Sequence, residues 1–188
     1  MIKREFEVKS PRTEMKFATI DQSYTECGIA VFEKGQIVKL TRLNFRSIEV
    51  KNKVKLKKKH KRQLIQKAVK MLVDEGVQLV VVERVRTFSA GFISTNAISA
   101  LSELIATIID SVPDDIPVVS VDTRAWKARI GISKAAKEDK KKETITWAQA
   151  NLPKEIAAKR KTALTDNEAD AFGMGIAFIK NVKVIEEE

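Results

Sequence analysis

Apolar residues recur along this chain with two periods, and the switches between them divide it into elements. Residues 15–23 and 27–33 are dense in Phe, Ile, Val and Ala at strand spacing, and residues 36–46 continue as a third run. Lys34-Gly35 separates the second run from the third as a tight-turn pair, so the three predict an antiparallel meander. Leu64, Ile65, Ala68, Val69, Leu72 and Val73 then follow helical spacing, with Gly76 as the stop. Residues 77–83 form a continuous apolar run, the pattern of a strand covered on both faces. After a glycine-containing loop at 84–94, Ile98, Leu101, Leu104, Ile105, Ile108 and Ile109 mark a second amphipathic helix, which Pro113-Asp114-Asp115 ends. Residues 117–121 predict a short strand, and Asp122 caps a short helix carrying Trp126 and Lys127. A basic, alanine-rich linker at 133–142 leads into a helix through Trp147.

The final helix organises the rest. Thr165 opens it, and Asp166, Asp170, Gly173 and Ala177 fall on one face at i, i+4, i+7 and i+11. Gly173 and Gly175 each cost roughly 1 kcal/mol against alanine inside a helix, so close approach to a sheet is the simplest reason for them. The order β-β-β-α-β-α-β-α-α predicts an α/β chain with a ribonuclease H-like fold. Its sheet is expected to be mixed and five-stranded, three antiparallel strands then parallel ones, with helices on both faces. Residues 1–14, charged and broken by Pro11, read as an amino-terminal extension; residues 15–183 read as one domain, and 186–188 as a frayed acidic tail.

Charge narrows the partner. Thirty-five Lys and Arg against 25 Asp and Glu give a formal charge of +10 and a pI near 9.7, which points to nucleic acid. Residues 51–62 hold eight Lys or Arg and no acid, running straight into the first helix. The single cysteine, Cys27, excludes an internal disulfide, and the single histidine, His60, argues against a His-based zinc site or a Ser-His-Asp triad. With no apolar run of transmembrane length and no signal-peptide core, the expected location is the cytoplasm, away from membrane.

The chemistry is then sought among acids. Asp21 closes one apolar strand and Glu83 another, and charges at buried strand ends are expensive unless paired or metal-bound. With Asp170 they form a set able to hold two magnesium ions for phosphodiester cleavage, a reaction that needs no histidine base. The plain alternatives are a strand-ending turn for Asp21 and a salt-bridged strand end for Glu83. Thr165-x-x-Glu168 fits a capping box, which gives Glu168 a structural task and turns it off the Asp170 face. Asp166 is therefore preferred as a fourth ligand, though the helix dipole alone would also favour an acid there. Asn167 is the neutral alternative.

At these residues the chain resembles the RuvC-like Holliday junction resolvases of bacteria and their phages. The matching stretches are Ile20-Asp21-Gln22-Ser23 with Cys27-Gly28-Ile29-Ala30, Val81-Val82-Glu83-Arg84-Val85, Thr123-Arg124-Ala125-Trp126-Lys127 with Gly131, Lys140-Lys141-Lys142, and Glu168-Ala169-Asp170-Ala171-Phe172-Gly173. The resemblance implies a homodimer that cuts opposed strands of a four-way junction, with magnesium or manganese held by Asp21, Glu83 and Asp170. It also implies that Lys127, and Lys142 as a second, contact phosphate. Two positions depart from the family: Asn167 stands where an acid is common, and Arg86 where an aromatic wedge is common, with Phe88 two residues on.

Three functions follow. The first is a junction-resolving endonuclease whose basic stretches hold DNA backbone, through Lys57, Lys58, Lys59, Arg84, Arg86, Lys127, Lys141 and Lys142, with Phe88 to insert into the junction or serve as core or dimer contact. Another nuclease of the same fold, acting on flaps, branches or RNA–DNA hybrids, is the second. The third is a junction-binding protein without catalysis.

Overall fold

The computed structural model describes residues 12–46, 48, 58–84, 95–132 and 139–186. Strands β1 (Phe17–Gln22), β2 (Glu26–Glu33) and β3 (Gln36–Asn44) form the expected antiparallel meander. Lys34 and Gly35 turn β2 into β3 with φ of 50° and 72°, the left-handed backbone that such a hairpin requires. Helix α1 (Lys58–Asp74) ends at Gly76, whose φ is 83°, and β4 (Val80–Glu83) follows. Helix α2 (Thr95–Ile109) returns the chain to β5 (Val118–Val121). Four helices then run in succession: α3 (Thr123–Arg129), α4 (Asp139–Asn151), α5 (Lys154–Ala158) and α6 (Asp166–Ile179). A last strand, β6 (Val184–Glu186), closes the described chain.

The sheet order is β3-β2-β1-β4-β5-β6, with β1, β4 and β5 parallel and the outer pairings antiparallel. The sheet therefore has six strands, where five were expected. The missed strand is Val184-Ile185-Glu186, which pairs with Val121, Ser120 and Val119 of β5. Three residues beside an acidic tail carry too little periodicity to announce a strand; Glu186, assigned to the frayed tail, is in fact its last residue.

Alternation sorts the side chains onto two faces. Ala18, Ile20, Ile29, Val31, Val80 and Val82 point to the face covered by α1 and α2, where they meet Ile65, Val69, Leu72, Leu104 and Ile108. Phe17, Ala30, Phe32, Val81, Val119 and Val121 point to the other, against Trp126, Ala148, Phe172, Met174 and Phe178. Helix α6 lies directly on this second face. The Thr19 hydroxyl donates to the Ala171 carbonyl at 2.6 Å, and a Cβ on Gly175 would collide with the Phe32 ring on β2. Gly173 serves a different neighbour from the sheet that was expected: its missing Cβ makes room for Trp126 of α3. Arg12 ties the start of the described chain to this helix, donating to the carbonyls of Phe178 and Val182 at 3.0 and 2.7 Å. Among the described residues no helix is long and apolar enough to cross a membrane.

Candidate active site

Parallel pairing places Ile20 beside Val82, so the next residues, Asp21 and Glu83, emerge together where β1 and β4 end. Both lie on the α6 face, since Asp21 alternates with Thr19 and Glu83 with Val81. Helix α6 brings Asp170 to the same end. Its first turn is held close because β2 offers Gly28 there: a Cβ at that position would stand 2.0 Å from the Asn167 carbonyl oxygen. Two adjacent strands and a helix thus deliver three carboxylates to one place.

Their surroundings are uneven. Asp21 is 6% exposed, and its carboxyl is held well above the usual range, first by burial and then by the charges of Glu83, Asp170 and Asp166. Asp170 is pushed up to about 6, chiefly by burial, while Lys127 pulls it down and Glu83 and Asp166 push it up. Lys127 Nζ donates to Asp170 Oδ2 at 3.5 Å and to the buried Thr144 hydroxyl at 3.4 Å. The other oxygen, Asp170 Oδ1, is buried without a hydrogen-bond partner among the described residues. Glu83 is oriented by its neighbours: the Trp126 indole donates to its Oε1 at 2.9 Å, and the Gln22 amide donates to its backbone carbonyl at 2.7 Å. Helix α3 presents Trp126 and Lys127 together because Asp122 caps it, accepting from the amides of Arg124 and Ala125 at 2.9 and 3.2 Å.

The remaining candidates divide. Asp166 lies near enough for its charge to act on both Asp21 and Asp170. The Asn167 amide turns instead to the β1–β2 turn, donating to Ser23 Oγ at 3.0 Å and Glu26 Oε1 at 3.2 Å. Glu168 forms both bonds of the capping box with Thr165 and accepts two more from Arg160. Lys58 is exposed and paired with Glu103 at 2.9 Å, Lys59 and Lys142 are exposed, and Arg84 follows β4 directly. Lys57, Arg86 and Phe88 lie outside the described residues, as does the side chain of Lys141. Reading the sequence passed over what Trp126 and Gln22 do for Glu83. A signal existed for the first, because a buried indole N–H needs an acceptor.

Among the described residues no three His, Cys, Asp or Glu side chains stand as a ready group of metal ligands. Lys127 and Trp126 occupy oxygens of Asp170 and Glu83 instead. The all-carboxylate donor set and the orphaned Asp170 Oδ1 nevertheless fit a hard divalent cation.

No protein-family profile and no curated protein matches the chain by sequence. Solved structures do match in shape. Thermus thermophilus RuvC in complex with a Holliday junction substrate superposes with a TM-score of 0.60 at 15% identity, covering 87% of this chain and 92% of that one. The fold is that of RuvC. A second Thermus thermophilus RuvC structure gives 0.55 at 18% identity over 87% and 92% of the two chains. The yeast mitochondrial Holliday junction resolvase Ydc2 gives 0.52 at 8% identity over 88% and 78%. At these identities the likeness is one of architecture, and it agrees with the RuvC-like resemblance carried by the motifs.

Proposed function

We propose that this chain is a metal-dependent, structure-selective DNA endonuclease that resolves four-way junctions by paired phosphodiester cleavage. The observation that carries the reading is the gathering of Asp21, Glu83 and Asp170 at one end of a RuvC-like sheet, with Asp21 and Asp170 both held above the usual carboxylate range. Structural metal-free acid clusters of this kind are destabilising, so a ligand of opposite charge is the simplest reason to keep one. Magnesium or manganese would be held by Asp21, Glu83 and Asp170, with Asp166 as the fourth ligand and Asn167, through its carbonyl oxygen, as the alternative. Two such ions, when bound, would neutralise the acids and supply Lewis acidity at the phosphodiester.

The chain's own side chains have separate tasks in this reading. Trp126 fixes one oxygen of Glu83 and leaves the other for a ligand. Lys127 balances Asp170 in the free protein and offers its ammonium to the backbone phosphate when DNA arrives. Lys57, Lys58, Lys59, Arg84, Arg86, Lys141 and Lys142 would hold the arms through backbone charge, and Phe88 would insert at the branch point. One acid cluster cuts one strand, so paired cleavage calls for a homodimer of this domain.

The test is incubation of labelled four-way junction, linear duplex and RNA–DNA hybrid with the protein and magnesium. Symmetric paired nicks confined to the junction are expected. Equal nicking of duplex or hybrid would reject the resolvase and leave another nuclease of this fold. A second reading, junction binding without catalysis, is favoured by the ion pair of Lys127 on Asp170 and by the absence of a ready ligand group among the described residues. Tight binding with no nicks in magnesium or manganese would establish it.

A further inference from the structure

The sheet face that carries the acids carries a second polar feature farther out. Asp21 pairs with Gly28, and Gly28 pairs with Arg42 of β3, so all three lie in one row across the sheet. Alternation puts Arg42 on the same face as Asp21, about 10 Å away at two strand spacings. Gly28 contributes no side chain between them, and the start of α6 sits in that gap. The first turn of α6 therefore acts as a divider. Asp166 and Asp170 lie on the acid side, and Glu168 lies on the other.

On that other side, β3 and the segment from 159 to 162 enclose a cleft of about 390 Å³. Its lining includes Lys39, Arg42, Lys159, Arg160 and Lys161 against one acid, Glu168. Glu168 is already neutralised by Arg160, which donates to its two oxygens at 3.0 and 2.8 Å. Lys39 is paired with Glu75 at 2.5 Å, and Arg42 reaches the Thr162 hydroxyl at 3.3 Å and Glu26 only at 4.0 Å. Lys159 and Lys161 are exposed, and no hydrogen bond or ion pair among the described residues engages their side chains. The cleft thus keeps positive charge to offer. It is also rigidly placed, because Arg160 locks the segment to the very residue that caps α6.

We propose that this cleft binds a phosphate of the DNA backbone flanking the one at the acid cluster, so that the start of α6 sets the spacing between the phosphate held and the phosphate cut. The inference rests on the nuclease reading and adds a contact to it. DNA is the fitting occupant because the cleft shares a face and a residue row with the acids, within reach of the same duplex arm. Arg42 and the two lysines supply the charge, and Thr162 supplies a hydroxyl for a phosphate oxygen.

The experiment measures affinity for a labelled four-way junction in chelator across a salt series. The variant is Lys159→Gln with Lys161→Gln; both side chains are exposed, so folding is not at stake. A control, Lys67→Gln with Lys70→Gln, removes equal charge from α1 on the opposite sheet face. The cleft variant is expected to bind about tenfold more weakly at ~0.1 M salt, and its slope of log affinity against log salt to fall by about two. The control should keep the wild-type slope. Equal behaviour of the two variants, while the wild type still binds and cuts junctions, would overturn the cleft and spare the nuclease. A wild type that neither binds nor cuts DNA would remove both.

Discussion

Two acids on α6 stand two residues apart and live in opposite circumstances. Glu168 is 3% exposed and saturated: it closes the capping box on Thr165 and accepts twice from Arg160. Asp170 has one oxygen at 3.5 Å from Lys127 and the other buried with no partner among the described residues. The same helix, on the same sheet, satisfies one buried acid and leaves its neighbour in repulsion with Glu83 and Asp166. A buried carboxylate with all its partners holds the fold together, whereas one left wanting marks a place where a ligand is missing. The pair therefore separates structure from function within one turn of helix.

The sharpest way to break that comparison is to neutralise each acid in turn. Asp170→Asn is expected to lower junction cleavage by at least about a thousandfold, ~4 kcal/mol on the barrier, while leaving the chelated protein as stable as the wild type or more so. Single-turnover cleavage and urea denaturation read the two effects. Glu168→Gln should do the reverse. It strands Arg160 in a site where that side chain is 11% exposed, so a loss of about 3 kcal/mol in unfolding free energy is expected. If Asp170→Asn unfolded the protein and Glu168→Gln left it stable, the assignment of roles would be backwards.

Much of this contrast was legible before any coordinates. Thr165 and Glu168 at cap spacing announced the structural acid, and the position of Asp170 beside small residues announced the other. Asp21 and Glu83 were visible because each closes an apolar run, and a charge there demands an explanation. What stayed hidden depends on contacts far apart in the chain. Trp126 meets Glu83 across 43 residues, and nothing local to either predicts the other. Gly173 was read as a seat for the sheet, yet its neighbour is Trp126, because helix–helix and helix–sheet approach leave the same small-residue trace. β6 escaped because three residues cannot show a period, and the pairing that makes them a strand lies on β5.

Magnesium offers a milder sharpening. A cation that binds the folded chain alone adds stability by mass action, about 2.7 kcal/mol at a hundred times its Kd. Thermal melts with and without 10-fold steps of magnesium should show a rising Tm for the wild type and for Glu168→Gln at their different baselines. Asp170→Asn should respond little. An equal rise in all three proteins would mean that the ion binds somewhere other than the acid cluster.

The smallest expected effect is a slope against pH. In the chelated protein Asp170 titrates near 6 instead of an ordinary 3.8, because burial and its acidic neighbours disfavour the charge. Between those values the folded chain holds a proton that the unfolded chain has released, so stability falls as pH rises from about 4 to about 6 and is level for this group beyond. Asp21, raised in the same direction, adds to the fall. Surface carboxylates with lysine partners slope the other way, so the informative quantity is the difference between wild type and Asp170→Asn. That difference should shift by about 1–2 kcal/mol in favour of the variant on going from pH 4 to pH 7. Measured in the Glu168→Gln background, it should be unchanged, since the capping acid and its arginine stand on the far side of the turn. A difference that stayed flat would mean that Lys127 already balances Asp170 in full, and the contrast between the two acids would then be one of geometry alone.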